Sequence, residues 1–332
     1  MKPRLDRLIF VPDHETDERR PNSYGYQMLE AWRRAGFEPT GPAPGSLREW
    51  LTALRARRRT VAVVNWLEGV LVDRHGRIGF TRRLRYYRKL AKLRLLAARL
   101  VYVQHNRHPH HTRPDDVASV ERTVERGLSC FADVLLSHDL EHAGSPARHL
   151  PHPAYPVHPQ APRAPQRRVV CFGRIGPYKA LDRLVQQWSA DRPLLIAGQV
   201  QDADYLEQLR TLACGRPVQF HTEPMSDDAA AALLADSSAA IVAHSPPSMV
   251  VSGSLYFALS CGVPVVAVGL PHARRLRDAG HPGVHWIESL EALASVDWDA
   301  LAREDRGLIR ARTLERFGLD AIAALLPRLI DA

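Results

Sequence analysis

The stretch RVVCFGRIGPYKALDRLVQQW, residues 168–188, decides the fold. A short β-branched apolar run leads into a turn with two glycines and a proline, and a helical pattern follows. This succession is the building unit of parallel sheets with crossover helices. The turn, GRIGPYK, places Arg174 and Lys179 just before the helix. Backbone N–H groups at a helix start, together with two cations, would neutralise a diphosphate, so Gly173, Arg174 and Lys179 are predicted to bind one.

A second helix start supports the phosphate site. Ser252, Gly253 and Ser254 precede the helical stretch LYFALSCG, and they offer hydroxyl groups and a glycine. Two helix starts at the ends of two strands of one sheet would face the same pyrophosphate. Two plainer interpretations stay open: the first turn is a surface loop whose cations only favour solubility, and Ser252 or Ser254 is only an N-cap.

The same strand and helix pattern extends over the whole chain in two sets. Strand-like runs occur as LIFVP, TVAVVNW, LVYVQHN and VLLSH in the first half, and as RVVCFG, PLLIAG, VQFHTE, AAIVAH and PVVAVG in the second. We therefore predict an α/β fold of two doubly wound, Rossmann-like domains facing a central cleft. The predicted boundaries are a first domain at 1–153, a proline-rich linker at 154–166, a second domain at 167–315 and a final helix at 316–332 that reaches back to the first domain.

The composition predicts a cytoplasmic protein. The 332 residues are 45% hydrophobic and 24% charged, and the four cysteines lie far apart. Scattered cysteines with apolar neighbours suit a reducing compartment. The first apolar run is too short for a secretory signal, and we find no apolar stretch near 20 residues that would span a membrane.

The net charge of +9 is concentrated in residues 77–95, where cations alternate with apolar residues at helical spacing and no acidic residue occurs. Such a helix suits the anionic inner face of the cell membrane. The alternative is an ordinary crossover helix with a solvated basic face. The charge also motivates a nucleic-acid-binding protein, but Tyr86 and Tyr87 match no stacking motif, so no nucleic-acid partner is expected.

Several motifs resemble those of GT-B glycosyltransferases. The segments FGRIGPYKALDRL and SGSLYFALSCGVPVVA resemble the donor-binding half of these enzymes, and most closely the bacterial exopolysaccharide β-mannosyltransferases of the xanthan-assembly type. In the first half, NWLE (residues 65–68) resembles the HWPE of that group, QHNRHPHH (104–111) resembles its LHNLAPHE, and HLPHPAY (149–155) resembles the hinge motif. The resemblance covers most of the chain.

The resemblance implies roles for particular residues. Arg174 and Lys179 would hold the diphosphate of a nucleotide-sugar donor, and residues 252–254 would complete the cradle. His105 would lie beside the transferred sugar. His110 and Tyr24 are expected to contact the sugar or the acceptor.

Sugar transfer with inversion requires a carboxylate that removes the proton of the acceptor hydroxyl. Glu68 follows the strand TVAVVNW and is the leading candidate base, and Asp13 and Glu15 are competitors. The plainer interpretation is that each is a surface residue or a helix cap. Many retaining GT-B enzymes carry two glutamates at the positions held here by Met249 and Phe257, so the sequence favours inversion.

The predicted function is transfer of mannose from GDP-mannose, with inversion, onto a lipid-diphosphate-linked oligosaccharide in exopolysaccharide synthesis. The alternatives are a retaining GT-B glycosyltransferase or a sugar-nucleotide epimerase that uses a UDP-sugar, and a nucleic-acid-binding protein. We expect no cofactor and no metal. His105, His108, His110 and His111 lie on a proline-broken loop that suits metal geometry poorly, and Asp202 opens a helix, where capping explains it.

Overall fold

The computed structural model describes residues 5–12, 23–40, 46–139, 147–157, 166–188, 192–243 and 250–331. Asp13, Glu15 and Met249 lie outside these ranges. The chain divides into two compact units, which are described separately. Unit 1 comprises Met1–Pro153, Ser248–Val251 and Leu319–Ala332, and unit 2 comprises Ala154–Pro247 and Ser252–Gly318.

Unit 1 is built on a six-stranded parallel sheet. Its strands are β1 (Arg7–Val11), β2 (Glu38–Pro39), β3 (Thr60–Asn65), β4 (Arg99–Gln104), β5 (Val134–Ser137) and β6 (Arg148–His149). They lie in the order β2-β1-β3-β4-β5-β6, and every pair is parallel. Each residue of β3 is buried, as expected for a strand that helices cover on both faces.

The helices of unit 1 cover the two faces of this sheet. They are α1 (Tyr24–Arg34), α3 (Phe80–Leu96), α4 (Pro114–Phe131) and, numbered along the whole chain, α12 (Leu319–Asp331). A further helix, α2 (Leu47–Ala56), buries none of its residues. One core joins α1 and α12 to alternate residues of β3 and β4, such as Val63 and Val101. The other core joins α3 and α4 to the intervening residues, such as Val64 and Tyr102.

Unit 2 contains a second parallel sheet of six strands. These are β7 (Gln166–Phe172), β8 (Leu194–Ala197), β9 (Val218–His221), β10 (Ser237–Val242), β11 (Val265–Val268) and β12 (Val284–Ile287). Their order is β12-β11-β10-β7-β8-β9. The order reverses between β7 and β10, and ligands of open α/β sheets bind at the carboxyl ends of the strands at such a switch point.

Seven helices belong to the described part of unit 2. They are α5 (Leu181–Gln187), α6 (Ala203–Leu212), α7 (Asp227–Ala235), α8 (Gly253–Ser260), α9 (Pro271–Asp278), α10 (Trp298–Ala302) and α11 (Arg306–Phe317). Within the described ranges, no helix of the chain is long and apolar enough to cross a membrane.

The domain boundaries differ in detail from those expected. Residues 154–157, expected in a linker, belong to unit 2, where the Ala154 N–H donates to Phe317 O (2.7 Å) and the Tyr155 N–H donates to Ser260 Oγ (2.9 Å). Most of the expected linker, residues 158–165, lies outside the described ranges. The last helix, α12, belongs to unit 1, and Arg34 of α1 forms an ion pair of 2.8 Å with its Asp320.

Candidate functional site

The loop after β7 is held in a defined shape by the neighbouring strand. The Gly173 N–H donates to Ala197 O at the end of β8, and the Ile175 N–H donates to Gln199 O, both at 2.9 Å. Residues Pro177–Lys179 form a short 3-10 turn, and Ala180 (φ 46°) separates this turn from α5. The predicted strand, turn and helix are therefore present, with a 3-10 turn inserted before the helix.

Gly173 lies where the predicted donor residues meet. A β-carbon built on Gly173 would lie 2.5 Å from Lys179 Nζ and 2.8 Å from Ser254 Oγ. The backbone at Gly173 has φ +124°, a conformation that residues other than glycine rarely adopt. The structure thus brings Gly173, Lys179 and Ser254 together at the switch point between β7 and β10.

Lys179 is a buried cation without a compensating anion among the described residues. Its side chain is only 4% exposed, and no described residue forms an ion pair or hydrogen bond with its ammonium group. Burial lowers the pKa of Lys179, and the positive charge of Arg174 lowers it further. Because a buried charge is costly unless it is paired, a bound anion would stabilise this arrangement. Arg174 itself is exposed.

The start of α8 offers hydrogen-bond donors to the same place. Ser252 occupies the N-cap position and is buried, but its hydroxyl makes no capping hydrogen bond. The N–H groups of Gly253 and Ser254 have no acceptor in the described part of the chain. Helix-start N–H groups of this kind bind anions. Ser252 thus occupies the N-cap position, but its hydroxyl group does not cap the helix by a hydrogen bond.

Glu68 is buried in unit 1 rather than exposed at a strand end. It lies in a 3-10 turn, Leu67–Leu71, and its side chain points into the core between the sheet and α3. Only 2% of the residue is exposed. Tyr102 donates a hydrogen bond of 2.8 Å to Glu68 Oε2. Burial raises the pKa of Glu68 to about 7, so this carboxyl group exchanges a proton near neutrality.

His105 lies among aromatic rings at the carboxyl edge of the unit 1 sheet. Its ring stacks on Trp66 with centroids 4.2 Å apart and contacts Tyr24 edge-on at 4.6 Å. His138 and His152 complete the group, with ring centroids 5.3 Å apart. We call these five residues the aromatic cluster. Tyr24 begins α1, and the other four residues follow the carboxyl ends of β3, β4, β5 and β6 in turn. Because these strands are parallel, the five side chains meet at one edge of the sheet.

Hydrogen bonds define the tautomer of His138. Its Nδ1 lies 2.7 Å from Leu150 O, so Nδ1 carries the proton and Nε2 accepts a hydrogen bond of 2.9 Å from the Tyr24 hydroxyl. Burial lowers the pKa of His138 to about 4 and lowers that of His105 well below its usual value. Both imidazoles are therefore neutral at pH 7. Tyr24, predicted to contact sugar or acceptor, is only 1% exposed and supports the cluster from within.

Sequence reasoning found His105 and Tyr24 but not the other members of this cluster. The missed residues are Trp66, His138 and His152. A signal was present, because His105 and His138 each directly follow a buried strand. The strands are parallel, so side chains just beyond their carboxyl ends lie at one edge of the sheet.

The remaining predicted polar residues have simpler surroundings. His110 lies on the loop after β4 and is exposed, in contrast to His105. Asp202 accepts a hydrogen bond of 3.0 Å from the Tyr205 N–H and caps α6, which confirms the capping interpretation. Phe257 packs in unit 2 against Tyr155 and Phe172. Among the described residues, no group of three or more His, Cys, Asp or Glu side chains is placed to hold a metal ion.

Comparison with known proteins identifies the class of the second unit. Residues 166–303 match the family model described as "Glycosyl transferases group 1". This segment contains the loop after β7, the start of α8 and all six strands of the unit 2 sheet. No curated protein sequence matches the chain.

Three solved structures illustrate the shared fold. Anabaena HepE, in complex with UDP and glucose, is 14% identical with a TM-score of 0.67, and 98% of each chain is covered. Sucrose-phosphate synthase from Thermosynechococcus elongatus is 15% identical with a TM-score of 0.67, again over 98% of each chain. TarM is 13% identical with a TM-score of 0.62 over 86% of this chain, which spans 57% of the length of TarM.

These findings confirm the predicted fold and support the predicted enzyme class. The similar structures share the GT-B fold, in accordance with two parallel α/β units. The family match over residues 166–303 agrees with the prediction of a glycosyltransferase.

Proposed function

We propose that this GT-B glycosyltransferase, whose second unit carries the group 1 domain, transfers a hexose from a nucleoside diphosphate sugar held at Gly173, Lys179 and Ser254. The buried ammonium group of Lys179, without an anion among the described residues, is the observation that carries the proposal. A diphosphate would supply that anion and would accept hydrogen bonds from the start of α8. Arg174, which is exposed in the same loop, would add a second cation.

The donor is proposed to be GDP-mannose, because the motifs of both halves resemble the β-mannosyltransferases. A UDP-sugar is the second candidate, since the HepE structures contain UDP, glucose and UDP-glucose. A thermal-shift panel of GDP-mannose, UDP-glucose, ADP-glucose and dTDP-glucose separates them. A ligand at 100 times its Kd adds about 2.7 kcal/mol of apparent stability, so the true donor should stand out. If none of the four raises the melting temperature, the donor site is wrongly assigned.

Inversion at the anomeric carbon is the proposed stereochemical course. The buried aromatic ring of Phe257 takes the place of one retaining-type glutamate, and Met249 takes the place of the other. The proposed base is Glu68, whose pKa near 7 suits proton transfer, although its burial requires a rearrangement before it meets an acceptor. Asp13 is the competing base. The anomeric configuration of the product, read by NMR coupling constants, tests this: retention would reject the proposal.

The leaving diphosphate is proposed to be stabilised by side chains and helix-start N–H groups rather than by a metal. Lys179, Arg174 and the N–H groups of Gly253 and Ser254 would supply this stabilisation. Transfer should therefore continue in the presence of EDTA. Activity that disappears with EDTA and returns with Mg²⁺ would contradict this part of the proposal.

The proposed acceptor is a lipid-diphosphate-linked oligosaccharide, reached at the inner face of the cell membrane. Helix α3 carries seven Lys or Arg side chains and no acidic residue, and Leu84 and Leu95 are exposed between them. The neighbouring α2 buries none of its residues, and its exposed leucines 47, 51 and 54 recur at helical spacing. An apolar stripe beside clustered cations suits an anionic membrane surface.

A further inference from the structure

A cavity of about 590 Å³ lies at the amino-terminal edge of the unit 1 sheet, opposite the edge that carries the aromatic cluster. Part of its lining comes from Leu5, Arg58 and Arg99, which precede or begin the adjacent strands β1, β3 and β4. The carboxyl-terminal ends of α1 and α12 supply most of the rest. The cavity is therefore formed by unit 1 alone. Its volume falls within the roughly 300–1,000 Å³ of pockets that bind small molecules.

Part of this lining is apolar and is fixed by the core. Phe37 is 5% exposed and packs edge-on against Trp32, with ring centroids 5.0 Å apart. Ile330 of α12 is buried, and it belongs with Phe37 to the core that joins α1 and α12 to the sheet. Leu5 and Pro327 add partly buried apolar surface. An alkyl group in contact with these side chains would leave water, which favours binding.

Arg58 and Arg99 are the cations of the described lining. Neither guanidinium group forms an ion pair or a hydrogen bond with a described residue. In contrast, the adjacent Arg59 forms an ion pair with Asp6. Guanidinium groups bind carboxylates and phosphates through two parallel hydrogen bonds. The two arginines thus leave hydrogen-bond donors available to an anion in the same cavity as the apolar side chains.

The other charges around the cavity limit which ligand fits. Asp331 also lines it and is exposed. The last carbonyl groups of α1 and α12 carry partial negative charge, but arginines in the last turn of each helix offset it. These arginines are Arg33 and Arg34 in α1 and Arg328 in α12. The described lining itself has two cations and one carboxylate, so it favours an anion over a cation.

We propose that this cavity binds a single-chain amphipathic anion. Its carboxylate or phosphate head group would pair with Arg58 and Arg99, and its alkyl chain would pack against Phe37 and Ile330. An inorganic anion would leave the apolar side chains in water, and an uncharged alkyl compound would leave both guanidinium groups unpaired. Free fatty acids and single-chain phospholipids both carry this combination, so the experiment compares the two head groups. The site does not depend on the nucleotide-sugar donor, whose proposed residues belong to unit 2.

Four probes test the cavity: decanoate, decyl phosphate, decyltrimethylammonium and inorganic phosphate. Each is added below any micellar concentration, and binding is measured by calorimetry and by thermal shift. The variant Arg58→Gln/Arg99→Gln removes both guanidinium groups of the cavity. Its matched control, Arg122→Gln/Arg126→Gln, makes the same charge change at two exposed arginines of α4, and Asp331→Asn removes the carboxylate. None of these five side chains pairs with a described residue, so the variants should fold.

We expect the two decyl anions to bind wild type and to raise its melting temperature. Arg58→Gln/Arg99→Gln should weaken that binding by about tenfold or more, because charge-assisted hydrogen bonds are lost. Asp331→Asn should strengthen it by about twofold or more, because a repelling carboxylate is removed. The α4 variant should bind like wild type. Tighter binding of decanoate would indicate a fatty acid as the natural ligand, and tighter binding of decyl phosphate would indicate a phospholipid.

Several results would overturn the proposal. These are no binding of either decyl anion to wild type, unchanged affinity in Arg58→Gln/Arg99→Gln, and an equal loss of affinity in both double variants. Binding of decyltrimethylammonium as tight as that of the anions would reject the charge preference, and binding of inorganic phosphate as tight as that of decyl phosphate would reject the alkyl site. Weaker binding of the anions to Asp331→Asn would show that the head group does not lie in this cavity.

Discussion

Tyr102 donates a hydrogen bond of 2.8 Å to Glu68 inside the core of unit 1, and both side chains are almost completely buried. The bond favours the ionised carboxylate, but burial outweighs it and raises the pKa of Glu68 to about 7 from 4.5. The pair makes the stability of unit 1 depend on pH.

Glu68 should destabilise the fold as the pH rises. Its pKa is higher in the folded chain than in the unfolded chain. Its favourable contribution to folding stability is therefore complete below pH 4.5 and is lost as the pH rises from 4.5 through about 7. The loss amounts to about 3 kcal/mol. Glu68→Gln cannot ionise, so urea unfolding between about pH 5 and pH 8 should show the gap between wild type and variant changing by that amount. Parallel stability curves would contradict the buried ionisable state.

His138 should produce the opposite trend in acid. Its pKa falls to about 4 from 6.5 in the folded chain, so stability is fully present above pH 6.5 and is lost as the pH falls toward 4. The expected loss is about 3 kcal/mol. His138→Gln can still donate to Leu150 O and accept from Tyr24, so it should keep the fold while removing this loss. His111→Gln, at an exposed position, is the control and should unfold in acid like wild type.

Lys179→Met should separate binding from stability. Methionine keeps the apolar stem but removes the buried charge, so the free protein should resist urea at least as well as wild type. The donor, in contrast, should bind about tenfold or more weakly, because a charge-assisted hydrogen bond is lost. Calorimetry with the donor found in the nucleotide-sugar panel measures this. Lys89→Met, on an exposed lysine of α3, should leave affinity unchanged, and equal losses in both variants would point to nonspecific charge attraction.

Gly173→Ala should block the donor site. The new methyl group would collide with Lys179 Nζ and Ser254 Oγ, and the backbone there has φ +124°. Gly215→Ala is a matched control, because Gly215 also has positive φ (+75°) but lies in open space. Both variants should lose roughly 1 kcal/mol or more of stability. Only Gly173→Ala should lose affinity for the donor, measured by calorimetry. If this variant binds the donor as tightly as wild type, the diphosphate does not bind at Gly173.

Membrane binding should depend on the apolar stripe of α2. Leu51→Gln should reduce cosedimentation with phosphatidylglycerol vesicles several-fold, because it removes apolar surface from the contact. Leu308→Gln is the control, since Leu308 on α11 has the same exposure, 47%, as Leu51. High salt should weaken binding of every variant, as screening predicts. Equal binding of the two variants would show that α2 does not contribute to membrane binding.

Much of the fold follows from local patterns in the sequence. Buried parallel strands such as TVAVVN need continuous apolar runs, and crossover helices need amphipathic spacing, so both halves were predicted as α/β domains. The loop after β7 was also predictable, because Gly173, Arg174 and Lys179 lie within seven residues between a strand and a helix. Each of these signals comes from neighbours along the chain.

Residues far apart in sequence required the tertiary structure. Ser254 meets Gly173 because β10 pairs with β7, and no local pattern specifies that order. Glu68 was predicted as a candidate base at the carboxyl end of a strand, with a surface position as the alternative. In the structure, the left-handed backbone at Trp66 precedes a 3-10 turn in which Glu68 is buried. The aromatic cluster likewise consists of side chains that follow four different strands or begin α1. The sequence by itself thus determined the α/β class and the strand, turn and helix around Gly173. Tertiary structure decided which side chains are buried and which distant residues meet, because both depend on strand order and side-chain direction.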